Sequence, residues 1–133
     1  MPQWVEMVLR LLVATALAAV IGYDREVRGK AAGMRTHVMI ALGAAAFTLA
    51  SLYGFGGADA SRVASGVVAG VGFLGAGVIF RAGTGSSVAG LTTAASIWVT
   101  AGVGLAAGCG LYVLAVAVAL LALLVLRLPH IKD

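Results

Sequence analysis

The chain has 133 residues, of which 62% are hydrophobic and 11% are charged, with one cysteine and a formal net charge of +4. Soluble domains hold roughly 45–50% apolar and about 25% charged residues, and small ones leave much of their surface in water. The composition therefore predicts a membrane protein and excludes a small soluble domain. One cysteine excludes an internal disulfide, and the scattered basic residues fit an anionic membrane surface, not nucleic acid.

Five apolar stretches are long enough to cross a membrane as helices, for which roughly 17–25 residues are needed. The stretches do not alternate between apolar and polar residues, and a helix satisfies its own backbone polar groups in lipid. We expect one all-α domain, residues 1–133, with spans at about 5–22, 37–53, 63–80, 88–108 and 109–126. The glycines of Gly102–Gly110 predict either an outer turn or a kink between the last two helices.

The basic residues between the predicted spans indicate an orientation. If five helices cross the membrane, most of the nine basic residues lie on one side, which the positive-inside rule assigns to the cytoplasm. The N-terminus is then outside and the C-terminus inside, in a multi-pass protein of an inner (plasma) membrane. The cytoplasmic set is Arg25, Arg28, Lys30, Arg35, Arg81, Arg127 and Lys132, whereas Arg10 and Arg62 lie on the other side.

Small residues recur at helical spacing along the third and fourth predicted helices, in a chain with 19 glycines. This spacing lets membrane helices approach closely, so tight packing is the favoured interpretation. The alternatives are a narrow path or hinge, and a self-association face of a homo-oligomer, with a dimer favoured. The third helix carries small residues on two faces and is expected at the centre of the bundle. The residues are Gly66, Gly70 and Gly77 on one face, Gly72 and Gly75 on another, and Thr92, Ser96, Thr100, Gly104 and Gly108 in the fourth helix.

Four basic and two acidic side chains lie between the first and second predicted helices. The carboxylates, Asp24 and Glu26, are weak candidates for a Mg²⁺ site, because this ion prefers carboxylate and water oxygens. The favoured interpretation is a salt-bridged loop that anchors the helix ends, since neighbouring guanidinium groups make a carboxylate a poor cation ligand. Arg35 could alternatively reach lipid phosphate. No cofactor is predicted.

Arg81 precedes residues 82–87, a loop rich in glycine and hydroxyl groups that could expose backbone N–H groups to an anion. The loop lacks Gly-Lys-Ser/Thr, so snorkelling of Arg81 to the head groups is favoured. Glu6 and Arg10, four residues apart, predict a helical ion pair at the outer rim. His37 and Cys109 have no sequence neighbours that would complete a zinc site or activate a thiol, and no enzymatic activity is predicted.

Three segments, taken in order, resemble the MgtC/SapB family of bacterial membrane proteins. The first joins Gly22–Glu26 to Ala32–Thr36, the second is the glycine-rich Gly70–Ile79, and the third is Gly90–Ala101. The first motif of the family more often carries Glu where this chain has Asp24. Many relatives continue into a soluble cytoplasmic domain, so we expect either a short member or the membrane domain alone.

The resemblance implies a link to growth under magnesium limitation and, in pathogens, to survival inside macrophages. The founding member of the family is associated with restraint of the F-type ATP synthase through membrane contacts, and an early label made it a magnesium transporter. We therefore expect a non-enzymatic bacterial membrane protein that acts through helix contacts with itself or with another complex such as that synthase. The candidate polar site comprises Asp24, Arg25, Glu26, Arg35, Thr36, Arg81, Thr92, Thr93 and Thr100.

The alternative is a transporter or channel for Mg²⁺ or another small ion, with Asp24, Glu26, Arg35 and the Thr92–Thr100 stripe lining its path. The predicted spans hold almost no carboxylates, which argues against a path for a divalent cation. A water-filled cavity that reaches Asp24 and Thr92 would favour transport. A dry, glycine-packed bundle with an apolar face would favour contacts.

Overall fold

The computed structural model describes residues 1–56, 59–82 and 90–129, except for the side chains of residues 81 and 82. Within these ranges the chain forms five α-helices and no strand, which confirms the predicted all-α class. The helices are α1 (Gln3–Val27), α2 (Met34–Gly54), α3 (Ser61–Ala82), α4 (Leu91–Gly108) and α5 (Tyr112–Leu126).

Four of the described helices, α1 to α4, are long and apolar enough to cross a membrane. The fifth has 15 residues, which rise about 22 Å and fall short of a hydrocarbon core of ~30 Å. It begins later than predicted because Gly110 has a φ of 79° and turns the chain directly after α4. The stretch Gly102–Gly110 is therefore a helix that ends at Gly108 followed by a tight turn.

The first helix extends further than predicted, to Val27. The charged residues Asp24, Arg25 and Glu26 consequently lie on its last turns, and the expectation that they belong to a loop was wrong. The true connection to α2 is short and includes Gly29, whose φ of 71° reverses the chain. A rigid helix therefore sets the directions of these three side chains.

The centre of the bundle is α4, which contacts each of the other four helices. In α4, 61% of the spanning residues are buried, against 11% in α3. The expectation that the third helix would be central was wrong, because its small residues are mostly not matched by a neighbour. Among the described residues, nothing lies within 4 Å of a Cβ built on Gly66, Gly70 or Gly77.

The glycines of α4 pack directly on the backbone of α2. A Cβ built on Gly104 would strike the carbonyl oxygen and Cα of Ala41, and one on Gly108 would lie 3.0 Å from the carbonyl oxygen of Ala45. The two helices can approach this closely because no side chain separates them. Around this contact the core is closed by fully buried alanines, among them Ala14, Ala18, Ala41, Ala45 and Ala107.

A polar cluster joins three helices at the end of the bundle where α1 begins. The ion pair between Arg10 Nε and Glu6 Oε1 is present at 3.0 Å. Arg10 Nη1 also donates a hydrogen bond to the carbonyl oxygen of Gly108 at 2.9 Å, and the Tyr112 hydroxyl donates to Glu6 Oε1 at 2.7 Å. The cluster therefore ties the start of α1 to the end of α4 and the start of α5.

Candidate functional site

The predicted polar residues gather at the other end of the bundle, where α1 and α5 end and α2 and α4 begin; we call it the basic end. Gly22 makes the approach of α1 to α2 possible there. A Cβ on Gly22 would lie 2.5 Å from Met34 Cα and 2.9 Å from the carbonyl oxygen of Gly33. A larger residue at this position would separate the two helices that carry the site.

Arg25 is the most deeply buried charged side chain described at this end, with 2% of its surface exposed. Its Nη2 donates a hydrogen bond of 2.9 Å to Thr93 Oγ1 in the first turn of α4. A buried cation is costly unless its donors are satisfied and its geometry is fixed. The contact with Thr93 fixes the guanidinium and links α1 to α4.

His37 extends this network to α2. Its side chain is fully buried, and Nδ1 donates to the carbonyl oxygen of Gly33 at 2.8 Å. Its Nε2 lies 3.0 Å from Ser96 Oγ, and the Ser96 hydroxyl donates to the carbonyl oxygen of Thr93 at 2.7 Å. Arg25, Thr93, Ser96 and His37 therefore form one continuous polar chain across α1, α4 and α2.

The two acidic side chains have separate partners. Asp24 accepts a hydrogen bond from Arg28 Nε at 3.3 Å and lies 3.9 Å from Arg127 Nη2. Glu26 Oε1 accepts from the backbone N–H of Met34 at 3.2 Å and so caps the start of α2. Residues two apart on a helix point about 200° from one another, so the two carboxylates do not converge on one ion. Within the described ranges, no three His, Cys, Asp or Glu residues come together as metal ligands.

A cavity of about 540 Å³ opens at the basic end between the ends of α1 and α5 and the start of α4. We call it the basic cavity, because four cationic side chains line it and Asp24 contacts two of them. Thr92 and the apolar residues that end α5 form the rest of its wall. The described lining is Arg25, Arg28, Lys30, Thr92, Val125, Leu126, Arg127, Leu128 and Pro129.

The remaining predicted residues lie outside the network from Arg25 to His37 and outside the basic cavity. Arg35 and Thr36 are exposed and line a separate depression with Glu26. Thr100 is fully buried in the middle of α4, and its hydroxyl has no hydrogen-bond partner among the described residues. The backbone of Arg81 belongs to α3, whereas its side chain and the glycine-rich loop after it lie outside the described residues.

Sequence reasoning did not select His37, Lys30 or Arg127 for the site. A histidine suggests metal ligation first, and the sequence offers no second ligand close to His37. A histidine at the start of an apolar helix needs partners for both ring nitrogens once it is buried, and this requirement could have flagged it. The proximity of Lys30 and Arg127 is a property of the fold, since 97 residues separate them in sequence.

Comparison with known proteins identifies the family. The sequence model described as the MgtC family matches residues 11–131. This chain belongs to the MgtC family. The membership confirms the resemblance carried by the three motifs, and with the apolar helices it makes the chain a multi-pass membrane protein.

Named relatives share the same helical region. The chain is 45% identical to the putative magnesium transporter YhiD of Escherichia coli K12, over 94% of this chain and 61% of that protein. It is 42% identical to the protein SrpB of Synechococcus elongatus, over 82% of this chain and 66% of the relative. It is 46% identical to the protein MgtC of Salmonella typhimurium, over 77% of this chain and 43% of the relative. No solved structure matches the chain.

The chain thus spans about three fifths of the E. coli relative and less than half of the Salmonella one. These MgtC family proteins are longer than the helical bundle described above. Sequence identity alone therefore does not assign to this chain any activity that needs the remaining part of these relatives.

Proposed function

We propose that this MgtC family protein is a non-enzymatic protein of a bacterial inner membrane that acts by binding other transmembrane helices, in adaptation to low magnesium and in virulence. The observation that supports this function is the uncovered face of α3. No described residue lies within 4 Å of a Cβ built on Gly66, Gly70 or Gly77, and only 11% of the spanning residues of this helix are buried. Glycines weaken a helix unless a close contact uses them, so this face suits a helix from another chain.

The proposed contact surface continues into a groove between α2 and α3, which we call the α2–α3 groove. It has a volume of about 540 Å³ and a strongly apolar lining that includes Gly43, Gly66 and Gly70. Phe47 and Met39, at its rim, are 62% and 70% exposed. A second copy of the chain is the first partner we propose, because a face of small residues is complementary to itself. A subunit of another membrane complex, such as the F-type ATP synthase, is the second.

The second candidate function is transport of a small ion, which the basic cavity and the buried chain from Arg25 to His37 favour. A relative is also named a putative magnesium transporter. The charges argue against Mg²⁺, because four cations line the basic cavity and repel a divalent cation. Beyond Ser96, the described centre of the bundle is closed by alanines and by the contact of Gly104 with Ala41.

Disulfide cross-linking in native membranes tests the contact function. With Cys109 replaced by Ser, we expect Gly66→Cys and Gly70→Cys to give cross-linked dimers. The control Ala76→Cys is exposed on the same helix, about a third of a turn away from Gly70, and should cross-link much less. Equal cross-linking at all three positions would contradict a specific α3 contact, whereas adducts of another mass would identify a different partner.

Ion flux through purified protein in liposomes tests transport. We expect no flux of Mg²⁺, K⁺ or H⁺ above that of empty vesicles. A flux that Asp24→Asn or Arg35→Ala abolishes would overturn the contact function and establish the polar residues as part of a path.

A further inference from the structure

The basic cavity is continuous with an apolar surface. A second groove, of about 300 Å³, runs between α4 and α5, and we call it the α4–α5 groove. Thr92, Val125 and Leu126 line both the groove and the basic cavity. A site with a cationic chamber at one end and an apolar channel leading from it has the two chemistries of a phospholipid, a charged head and an acyl chain.

The described lining of the chamber is rich in positive charge and suits an anion. Arg25, Arg28, Lys30 and Arg127 contribute four positive charges, and Asp24 is the one described carboxylate that contacts these side chains, through Arg28 and Arg127. Glu26 points to the start of α2 and lines a different depression. Among the described residues, basic side chains therefore outnumber carboxylates around a space large enough for a phosphate group.

The chamber is also preorganised. Arg25 is held by Thr93 inside the bundle and does not extend along the surface, as a lipid-facing arginine would. Lys30 is half-buried, and its backbone N–H donates to the carbonyl oxygen of Arg25 at 3.0 Å. The part of the wall that Arg25 and Lys30 form is therefore held in place, and binding of a phosphate does not have to order it.

The adjoining groove is suited to an acyl chain. Its wall is formed by Ala95 and Val99 of α4 and by Val118, Leu121 and Ala122 of α5. Almost all of the exposed lining is apolar, and Leu121 is 61% exposed to the surroundings of the bundle. Basic pockets between transmembrane helices at the cytoplasmic side are suited to anionic head groups, and the basic end is the predicted cytoplasmic end.

We propose that the basic cavity and the α4–α5 groove together form a binding site for an anionic phospholipid, with the phosphate against Arg28, Lys30 and Arg127 and one acyl chain along α5. The site lies outside the α2–α3 groove and does not depend on the proposed contact function. Its role is to hold a lipid of the cytoplasmic leaflet against the end of α5, which is too short to span alone.

Native mass spectrometry of the full chain from micelles tests the site, with equimolar phosphatidylglycerol and phosphatidylcholine of identical acyl chains. We expect retention of one phosphatidylglycerol in preference to phosphatidylcholine. Arg127→Gln should lower the affinity about fivefold, and Lys30→Gln with Arg127→Gln on the order of 25-fold, as expected for one or two basic groups near an anionic lipid. The exchange Arg127→Lys should keep the preference.

The matched control is Arg35→Gln, which removes the same charge from the same end but not from the cavity. It should change the affinity less than twofold. Equal losses for Arg35→Gln and Arg127→Gln would mean attraction by the overall charge and would overturn the site. Unchanged Tm values would exclude unfolding as the cause of a loss.

A second pair of variants tests the acyl chain. Ala95→Leu fills the α4–α5 groove at an exposed position and should reduce lipid retention, whereas Ala76→Leu, at an exposed position of α3, should not. Excess inorganic phosphate should not displace the lipid. Displacement by inorganic phosphate, with no effect of Ala95→Leu, would overturn the lipid assignment and leave a site for free phosphate.

Discussion

The helices α3 and α4 are both rich in small residues, yet the bundle uses them in opposite ways. In α4, Gly104 and Gly108 lie against the backbone of α2, and the helix contacts all four others. In α3, no part of the described chain comes within 4 Å of a Cβ built on Gly66 or Gly70. A stripe of small residues therefore indicates that a helix can be approached closely, but it does not tell whether the approaching helix belongs to the same chain.

The hydroxyl side chains of α3 and α4 differ in the same way. On α4, the buried Thr93 hydroxyl accepts a hydrogen bond from Arg25. The buried Ser96 hydroxyl donates to the carbonyl oxygen of Thr93 and lies within hydrogen-bond distance of His37. On α3, Ser61 and Ser65 are exposed near its beginning. The central helix thus combines close packing with polar links to two neighbours, whereas the peripheral helix offers the bilayer an apolar surface.

This contrast between α3 and α4 would be contradicted if α4 accepted a larger residue where α2 packs against it. We expect Gly104→Ala to lower the free energy of unfolding by about 3 kcal/mol, the upper end for overpacking, because the obstructing atoms are the backbone of Ala41. Reversible unfolding in mixed micelles measures this change in the free energy of unfolding. The matched control is Gly102→Ala, where none of the described residues lies within 4 Å of the new Cβ and better helix propensity adds up to about 1 kcal/mol. Equal destabilisation by both changes would contradict the packing described.

The hydroxyls of α4 allow a second comparison within one helix. Thr93→Val removes the acceptor of a buried guanidinium hydrogen bond and should cost about 1–2 kcal/mol in unfolding free energy. Thr100→Val removes a buried hydroxyl that has no partner among the described residues, and should be neutral or stabilising. The same unfolding measurement checks both. A larger loss for Thr100→Val would mean that its hydroxyl has a bonded role that the structure does not show.

The sequence predicted the class, the five helices and the family, because apolar runs and ordered motifs are local signals. It also singled out Arg25 and Thr93, but not their contact, since 68 residues separate them. The position of α3 was predicted wrongly because spacing reveals only the small faces of a helix. The predicted end of α1 is too early, because charged residues usually mark the end of a span, whereas Asp24 and Arg25 are buried within the bundle.

The open face of α3 gives a prediction about association. Gly70→Leu should leave the unfolding free energy of the monomer within about 0.5 kcal/mol, because no described residue lies within 4 Å of a Cβ at this exposed position. It should weaken the proposed self-association about fivefold, by blocking close approach of a second helix. Energy transfer between labelled copies in liposomes, at varied protein-to-lipid ratios, measures the association. Unchanged association would remove Gly70 from the interface.

The smallest expected effect concerns how α3 begins. Asp59 Oδ1 accepts hydrogen bonds from the Ser61 backbone N–H at 3.0 Å and from its hydroxyl at 2.8 Å, and the hydroxyl bond is the main cause that lowers the pKa of Asp59. A carboxyl with a lowered folded-state pKa stabilises its structure above the unfolded pKa, and this stabilisation is lost as the pH falls through the folded value.

We expect the first turn of α3 to loosen below about pH 4. In an NMR titration, the chemical shift of the Ser61 amide should follow the protonation of the Asp59 carboxyl. Asp59→Asn should make that shift independent of pH, and persistence of the titration would assign it to another group. Because little of α3 is buried, loss of its cap should loosen its first turn. The start of α4 has no side-chain cap from Gly90, but contacts with four other helices hold α4 in place.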